Sequence, residues 1–279
     1  MNSVPTTHPI DRHYLAHTIK AEGRTFSYRE SGRGPAMVLL HGIGSGSGSW
    51  LSQLDELSSD YRVIAWDAPG YGATTPVDTT SPVAAEYASA LETLLVALNI
   101  EPSVLIGHSF GALTAGSYAS IHKELPMLII AHPANGYGAA DPETRAQKLN
   151  PRLEAMRALG PKGLAKTRSS ALLSANASDN ARNLVRWNMS QLNPEGYEQA
   201  AQLLAYSHLI GDAPAYPGPV LVMGGSEDTV TPEAGCRLVA DAFPNAQYRT
   251  LPGVGHSSYV ENGPQFNEAV QDFIAGLHG

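Results

Sequence analysis

The chain has 279 residues, 43% of them hydrophobic and 16% charged, so it can bury one sizeable core and is not a disordered polyelectrolyte. A formal net charge of −8 disfavours a nucleic-acid or anionic-membrane partner. The single cysteine, Cys236, excludes an intramolecular disulfide, and no Cys/His cluster at ligand spacing gives reason to expect a metal or another cofactor.

Residues 1–13 read as a loose tail. The stretch MNSVPTTHPIDRHYLAH lacks the apolar segment of a signal peptide. No run approaches the roughly 18 apolar residues of a membrane helix. A soluble, cytoplasmic protein is therefore expected. YLAHTIKAEGRTFSYRESGRG predicts two strands around a turn at Glu22 and Gly23. AMVLLHG is a continuous apolar run, as in a buried strand of a parallel sheet. A glycine–serine loop follows, then SWLSQLDELSSD, helical in pattern. YRVIAWDAPGYG predicts a strand and loop, and residues 83–98 a helix that Ser81 and Pro82 introduce. SVLIGH predicts a strand, Phe110–His122 a helix and MLIIAHPA another strand.

Strands alternating with helices imply a mostly parallel α/β sheet with helices on both faces. The alternation stops at residues 134–212, whose composition suits several short helices. It resumes after Pro219 with VLVMGG, a helix over Glu233–Phe243, the strand QYRTL and a helix over Glu261–Leu277. The expected organisation is one α/β core in two parts, residues 1–133 and 213–279, with a helical cap at 134–212 between them.

GHSFG places Ser109 between Gly107 and Gly111. A nucleophile held on a sharp strand-to-helix turn needs this spacing, because side chains two residues either side would collide with neighbouring elements. An ordinary glycine-rich turn is the alternative. A serine nucleophile needs a base, and the base an orienting acid. Asp228 follows the strand VLVMGG and His256 follows QYRTL, both where side chains gather at the carboxyl edge of a parallel sheet. Glu227, next to Asp228, is the alternative acid and is read as a solvated loop residue. Of the other histidines, His8, His13 and His278 are terminal, and His17, His122 and His208 are surface or packing residues. His41, His108 and His132 follow strand ends and are read as pocket-lining. Acyl transfer also needs two N–H donors aimed at the oxyanion. The backbone of Phe110 is one candidate, and that of Ile43, in HGIG, the other, with Gly44 as the alternative.

HGIG, WDAPGYG, GHSFG, GSEDTVTP and GVGHSSYVE, in this order, resemble the α/β-hydrolase superfamily. The resemblance covers residues 15–134 and 213–277, and the cap only in position and helical character. It implies an α/β-hydrolase fold and a structural role for Asp67, Gly70 and Gly72. A serine at position 109 argues against the haloalkane dehalogenases and epoxide hydrolases of the fold, which use aspartate there. The motifs are similar to those of 3-oxoadipate enol-lactonases, small carboxylesterases and meta-cleavage-product C–C hydrolases. The last usually carry Asn-Trp where this chain has Ser49-Trp50, and Trp where it has Ser257.

Residues 134–212 hold nine Lys/Arg and seven Asp/Glu, a balance of +2, against −10 elsewhere. Arg152, Arg157, Arg168, Arg182 or Arg186 could meet a substrate carboxylate; otherwise these are solvated helix faces. Trp187, Met189, Leu192, Tyr197 and Tyr206 could line an apolar pocket or pack the cap onto the core. Among substrate contacts the expectation settles on His41, His132, Trp187 and Arg186. The function expected is a cofactor-independent serine hydrolase of a small-molecule ester or lactone, acting through an acyl-enzyme. C–C bond hydrolysis of a vinylogous diketone is the first alternative. An acyltransferase or a non-catalytic binding protein is the second.

Overall fold

The computed structural model describes Ile10 and residues 13–278. The tail read over residues 1–13, with His8, lies outside the described residues except for Ile10, which is buried, and exposed His13. Strands β1 (His17–Ala21) and β2 (Arg24–Ser31) form the expected hairpin. Its turn residues Glu22 and Gly23 both have positive φ, 49° and 74°. A two-residue turn of that hand matches the right-handed twist of the strands.

β3 (Ala36–Leu40), β4 (Arg62–Trp66), β5 (Pro102–His108), β6 (Leu128–Ala131), β7 (Val220–Gly225) and β8 (Ala246–Leu251) complete one sheet in the order β1-β2-β4-β3-β5-β6-β7-β8. β1–β2 and β2–β4 pair antiparallel, and every other pair is parallel. The central strands read as unbroken apolar runs because both faces are covered. Successive residues point to opposite sides. Met37, Leu39, Val104 and Ile106 meet Leu54 of α1 (Leu51–Glu56) and Phe266 and Val270 of α10 (Gly263–His278). Val38, Leu40 and Leu105 pack with Leu91 of α2 (Ala84–Ala97), Leu113 of α3 (Phe110–Ile121) and Val239 of α8 (Glu233–Ala242).

Two boundaries differ from the sequence reading. α2 is introduced by Val83, whose N–H donates to Glu86 Oε2 at 2.7 Å, and not by Ser81. The expected helix over 261–277 is two, α9 (Ser258–Glu261) and α10, broken at Asn262. Pro264 fits the break: it has no N–H to continue the ladder of the preceding turn and suits the first turn of a new helix.

Between β6 and β7 the described chain is helical. α4 (Pro142–Arg168) starts on Asp141, which accepts the Thr144 N–H at 2.9 Å, and kinks at Gly160, where φ is 63° and Pro161 follows. α5 (Asp179–Ser190) is capped by Ser178 and α6 (Pro194–Tyr206) by Asn193. Short α7 (Leu209–Asp212) returns the chain towards β7. These helices lie over the carboxyl ends of the central strands and close a cavity there.

Candidate active site

The strand-to-helix turn after β5 has the strain its glycines predict. Ser109 sits at φ 52°, ψ −112°, in a region that side-chain-bearing residues rarely adopt. Its N–H donates to Ala131 O at 2.9 Å, which ties the turn to β6. A methyl group on Gly107 would lie 2.6 Å from the carbonyl oxygen of Gly111, and one on Gly111 would press on the carbonyls of Leu40 and His41. Ser109 lines a cavity of about 510 Å³ together with Ile43, Gly44, His108 and His256. Among the described residues its hydroxyl makes no hydrogen bond within the protein, and it opens towards the cavity.

His256 follows β8 and is 4% exposed. Its Nδ1–H donates to Asp228 Oδ2 at 2.8 Å. Asp228, in the turn after β7, is filled with donors. Oδ1 accepts the N–H groups of Val230 (2.8 Å) and Thr231 (3.0 Å), and Oδ2 also accepts the Thr231 hydroxyl (2.8 Å). Burial pushes this carboxyl up, but hydrogen bonds from His132 and His256 outweigh it and hold it well below the usual carboxylate range. Glu227 is exposed and takes no part.

Ile43 lines the cavity, and its N–H makes no hydrogen bond among the described residues. Its carbonyl accepts the Tyr71 hydroxyl at 2.9 Å, and Asp67 Oδ1 accepts the Ser47 N–H at 2.8 Å, so the loop after β3 is held from both sides. Phe110 opens α3, where a backbone N–H has no partner within the helix. Its ring is fully buried, edge-on to Tyr87.

The four substrate contacts expected from the sequence do not line this cavity. His41 is fully buried beneath it: Nδ1–H donates to Gly42 O and Nε2 accepts the Ala68 N–H at 3.1 Å, so it joins two loops. His132 lies behind Asp228 and contacts its Oδ2 through Nδ1 at 2.8 Å. Trp187 covers the glycine–serine loop, where a methyl group on Gly48 would lie 2.8 Å from its ring. Arg186 is exposed on α5. Trp187 lies on the opposite side of α5 from Met189, which lines the cavity, whereas Arg186, three residues before Met189, is exposed to solvent.

Of the five arginines, Arg152 and Arg168 line the cavity. Arg157 pairs with Glu198 at 3.0 Å, and Arg182 donates to the carbonyls of Ser174, Ala175 and Ala177. Met189, Leu192 and Tyr197 also line the cavity, whereas Tyr206 is exposed against Arg145. Burial raises the Tyr197 hydroxyl, and the Arg152 and Arg168 charges act on it in the opposite sense. The sequence reading missed Thr231 and Ser258, the hydroxyl partners of Asp228 and His132, since isolated loop serines and threonines carry no spacing signal.

His132, Asp228 and His256 bring three ligand-type atoms within 4.8 Å of one another. Both imidazoles approach the same carboxylate oxygen at 2.8 Å, a hydrogen-bond length longer than a metal–ligand bond, and Thr231 and Val230 occupy the remaining lone pairs. This is the donor arrangement of a hydrogen-bonded network.

No helix among the described residues is long and apolar enough to cross a membrane. The chain is 30% identical, over 260 residues, to a pimeloyl-[acyl-carrier protein] methyl ester esterase of Xanthomonas oryzae pv. oryzae, covering 88% of this chain and 97% of that one. It is 28% identical to a 2-hydroxy-6-oxo-6-phenylhexa-2,4-dienoate hydrolase of Burkholderia cepacia, covering 88% and 90%. The solved enol-lactonase of Burkholderia xenovorans LB400 superimposes with a TM-score of 0.83 at 23% identity, over 93% of this chain and 100% of that one. The family model described as alpha/beta hydrolase fold matches residues 35–263, the span that carries all five motifs, and the chain is therefore a hydrolase of the α/β-hydrolase superfamily.

Proposed function

We propose that the chain is a cofactor-independent serine hydrolase of carboxylic esters or lactones, in which Ser109 attacks, His256 moves the proton and Asp228 orients the ring. The observation that carries this reading is the shared cavity: a serine on a strained turn and a histidine whose other nitrogen is held by a buried carboxylate. With Nδ1–H bound to Asp228, His256 Nε2 carries the lone pair. It takes the Ser109 proton as Oγ bonds to the acyl carbon. Negative charge then builds on the acyl oxygen, where the N–H groups of Ile43 and Phe110 are the expected donors. Collapse expels the alcohol, which leaves with the proton from His256, and the acyl group stays on Ser109. Water, deprotonated by His256, releases the acid and restores the serine.

The substrate favoured is an ester or lactone bearing a second acidic group. Arg152 and Arg168 support this: both line the cavity, and neither pairs with a carboxylate among the described residues. A fluorophosphonate probe should label the wild-type protein at Ser109 and leave Ser109→Ala unlabelled. Labelling elsewhere with full ester turnover in Ser109→Ala would overturn the assignment. C–C hydrolysis of a vinylogous diketone is the second reading, favoured by the name of the Burkholderia cepacia relative. Loss of the visible absorbance of a yellow ring-fission product, with no turnover of esters, would select it.

A further inference from the structure

Besides His256, three buried histidines, His41, His108 and His132, stand near the site and do different things. His108 donates Nε2–H to His256 O at 2.8 Å and so supports the loop that carries the candidate base. His41 joins two loops. His132 alone ends on the acid. Its ring is fully buried, with Nδ1 2.8 Å from Asp228 Oδ2 and Nε2 2.6 Å from Ser258 Oγ. Asp228 Oδ2 is thus the common acceptor of two imidazole Nδ1–H groups and the Thr231 hydroxyl.

Two features show that His132 is held for this contact. Its backbone is left-handed, with φ 49°, a conformation that strains a non-glycine residue and persists only where its surroundings hold it. The surroundings do so: its N–H donates to Met223 O at 2.7 Å, and its ring is bonded at both ends. The tautomer follows from the partners. A carboxylate oxygen can only accept, so Nδ1 carries the proton and Nε2 accepts from Ser258. Burial holds the ring neutral.

We propose that His132 is a positioning residue for the hydrolytic reaction, fixing the Asp228 carboxylate so that its Oδ2 stays aligned with His256 Nδ1–H. The proposal rests on the serine-hydrolase reading. The backbone N–H groups of Val230 and Thr231 hold Oδ1. Oδ2, the oxygen that faces His256, is otherwise held only by the Thr231 hydroxyl, which also lies 3.2 Å from His132 O, so His132 is the second fixed donor on the oxygen that aligns the base. A hydrogen bond to a charged group is stronger than one between neutral groups. The effect falls on the chemical step, because His132 does not reach the cavity.

The test compares His132→Phe, which keeps a ring and removes the N–H, with His132→Asn, whose side-chain amide can still donate to Asp228. With folded fractions measured by circular dichroism, kcat of the Phe variant should fall about tenfold or more while KM stays within about twofold. The fluorophosphonate labelling rate should fall with kcat. The Asn variant should recover most of both. Equal losses in the two variants, or a loss explained by the folded fraction alone, would show His132 to be a packing residue. A second measurement needs neither variant to fold. In the wild-type protein with ¹⁵N-labelled histidine, His132 should show a slowly exchanging Nδ1–H and an unprotonated Nε2. The opposite tautomer would overturn the proposal. Failure of the hydrolase reading is separate: Ser109→Ala would then keep full turnover, whatever the His132 tautomer.

Discussion

The α-carbon of Gly107, at the end of β5, faces Ala115 in α3 so closely that a methyl group on Gly107 would lie 2.7 Å from the Ala115 Cβ. The strand and helix that carry Ser109 approach each other there with no room for a side chain. Gly107→Ala should therefore destabilise the protein by about 1–3 kcal/mol through overpacking. Because the strain falls beside Ser109, fluorophosphonate labelling should slow even in the folded fraction. Thermal unfolding and labelling rates check this, and a variant as stable and as reactive as wild type would contradict it.

Ser109→Ala should leave the fold intact and lower ester turnover by at least about 10³-fold. The hydroxyl makes no hydrogen bond among the described residues, so its removal orphans no buried group. An unchanged melting temperature with a flat rate on a nitrophenyl ester is the expected pair of results.

The parts of this site that local sterics dictate were legible in the sequence. Glycines on either side of Ser109 are demanded by the turn itself, and Asp228 and His256 follow strand ends where a parallel sheet must gather its functional groups. Side-chain direction in the helices between β6 and β7 was not legible. Arg186 and Trp187 lie on α5, but the residue of that helix that lines the cavity is Met189, a phase set by how α5 docks. The kink at Gly160 then shifts the phase of α4 between Arg152 and Arg168, so no single period assigns both to the cavity. His132 follows a strand, which predicts a pocket-lining residue, yet its backbone has positive φ and its ring bonds to Asp228. Tertiary contacts decide that orientation, and spacing carries no record of it.

Asp228→Asn should lower kcat by about 10³- to 10⁴-fold, because the amide cannot hold the histidine tautomer that leaves Nε2 free. Glu227→Gln, on an exposed side chain, should stay within about twofold of wild type. The acid also has a stability signature. A carboxyl held below its unfolded value, about 3.9, stabilises the fold above that pH and loses its contribution as pH falls towards the folded value. The stability gap between wild type and Asp228→Asn should be full at pH 7 and narrow steadily below about pH 4. Urea unfolding at several pH values measures it, and a gap independent of pH would show that Asp228 is not held low.

The last prediction concerns the two cavity arginines. The region 134–212 carries a balance of +2 against −10 for the rest of the chain, and the structure turns two of its nine cationic side chains to the cavity. Arg157 is occupied by Glu198, and Arg182 by backbone carbonyls. Arg152, Arg168 and Tyr197 line the cavity that Ser109 shares, and both arginine charges act on the Tyr197 hydroxyl. A substrate carboxylate placed there would gain a charge-assisted contact worth roughly 1.5–3 kcal/mol. Far from the reacting carbonyl, that contact is made equally in ground and transition states, so it should appear in KM and leave kcat nearly unchanged. Arg152→Gln and Arg168→Gln should each raise KM about 10- to 100-fold for an ester with a distal carboxylate, and hardly affect its neutral counterpart. The measurement is kcat and KM on the matched pair, at low and high salt, for wild type and both variants. High salt should erode the wild-type preference, since Arg152 is half-buried and Arg168 exposed. A preference for the neutral ester that is insensitive to salt and to both substitutions would leave the arginines as solvated helix faces.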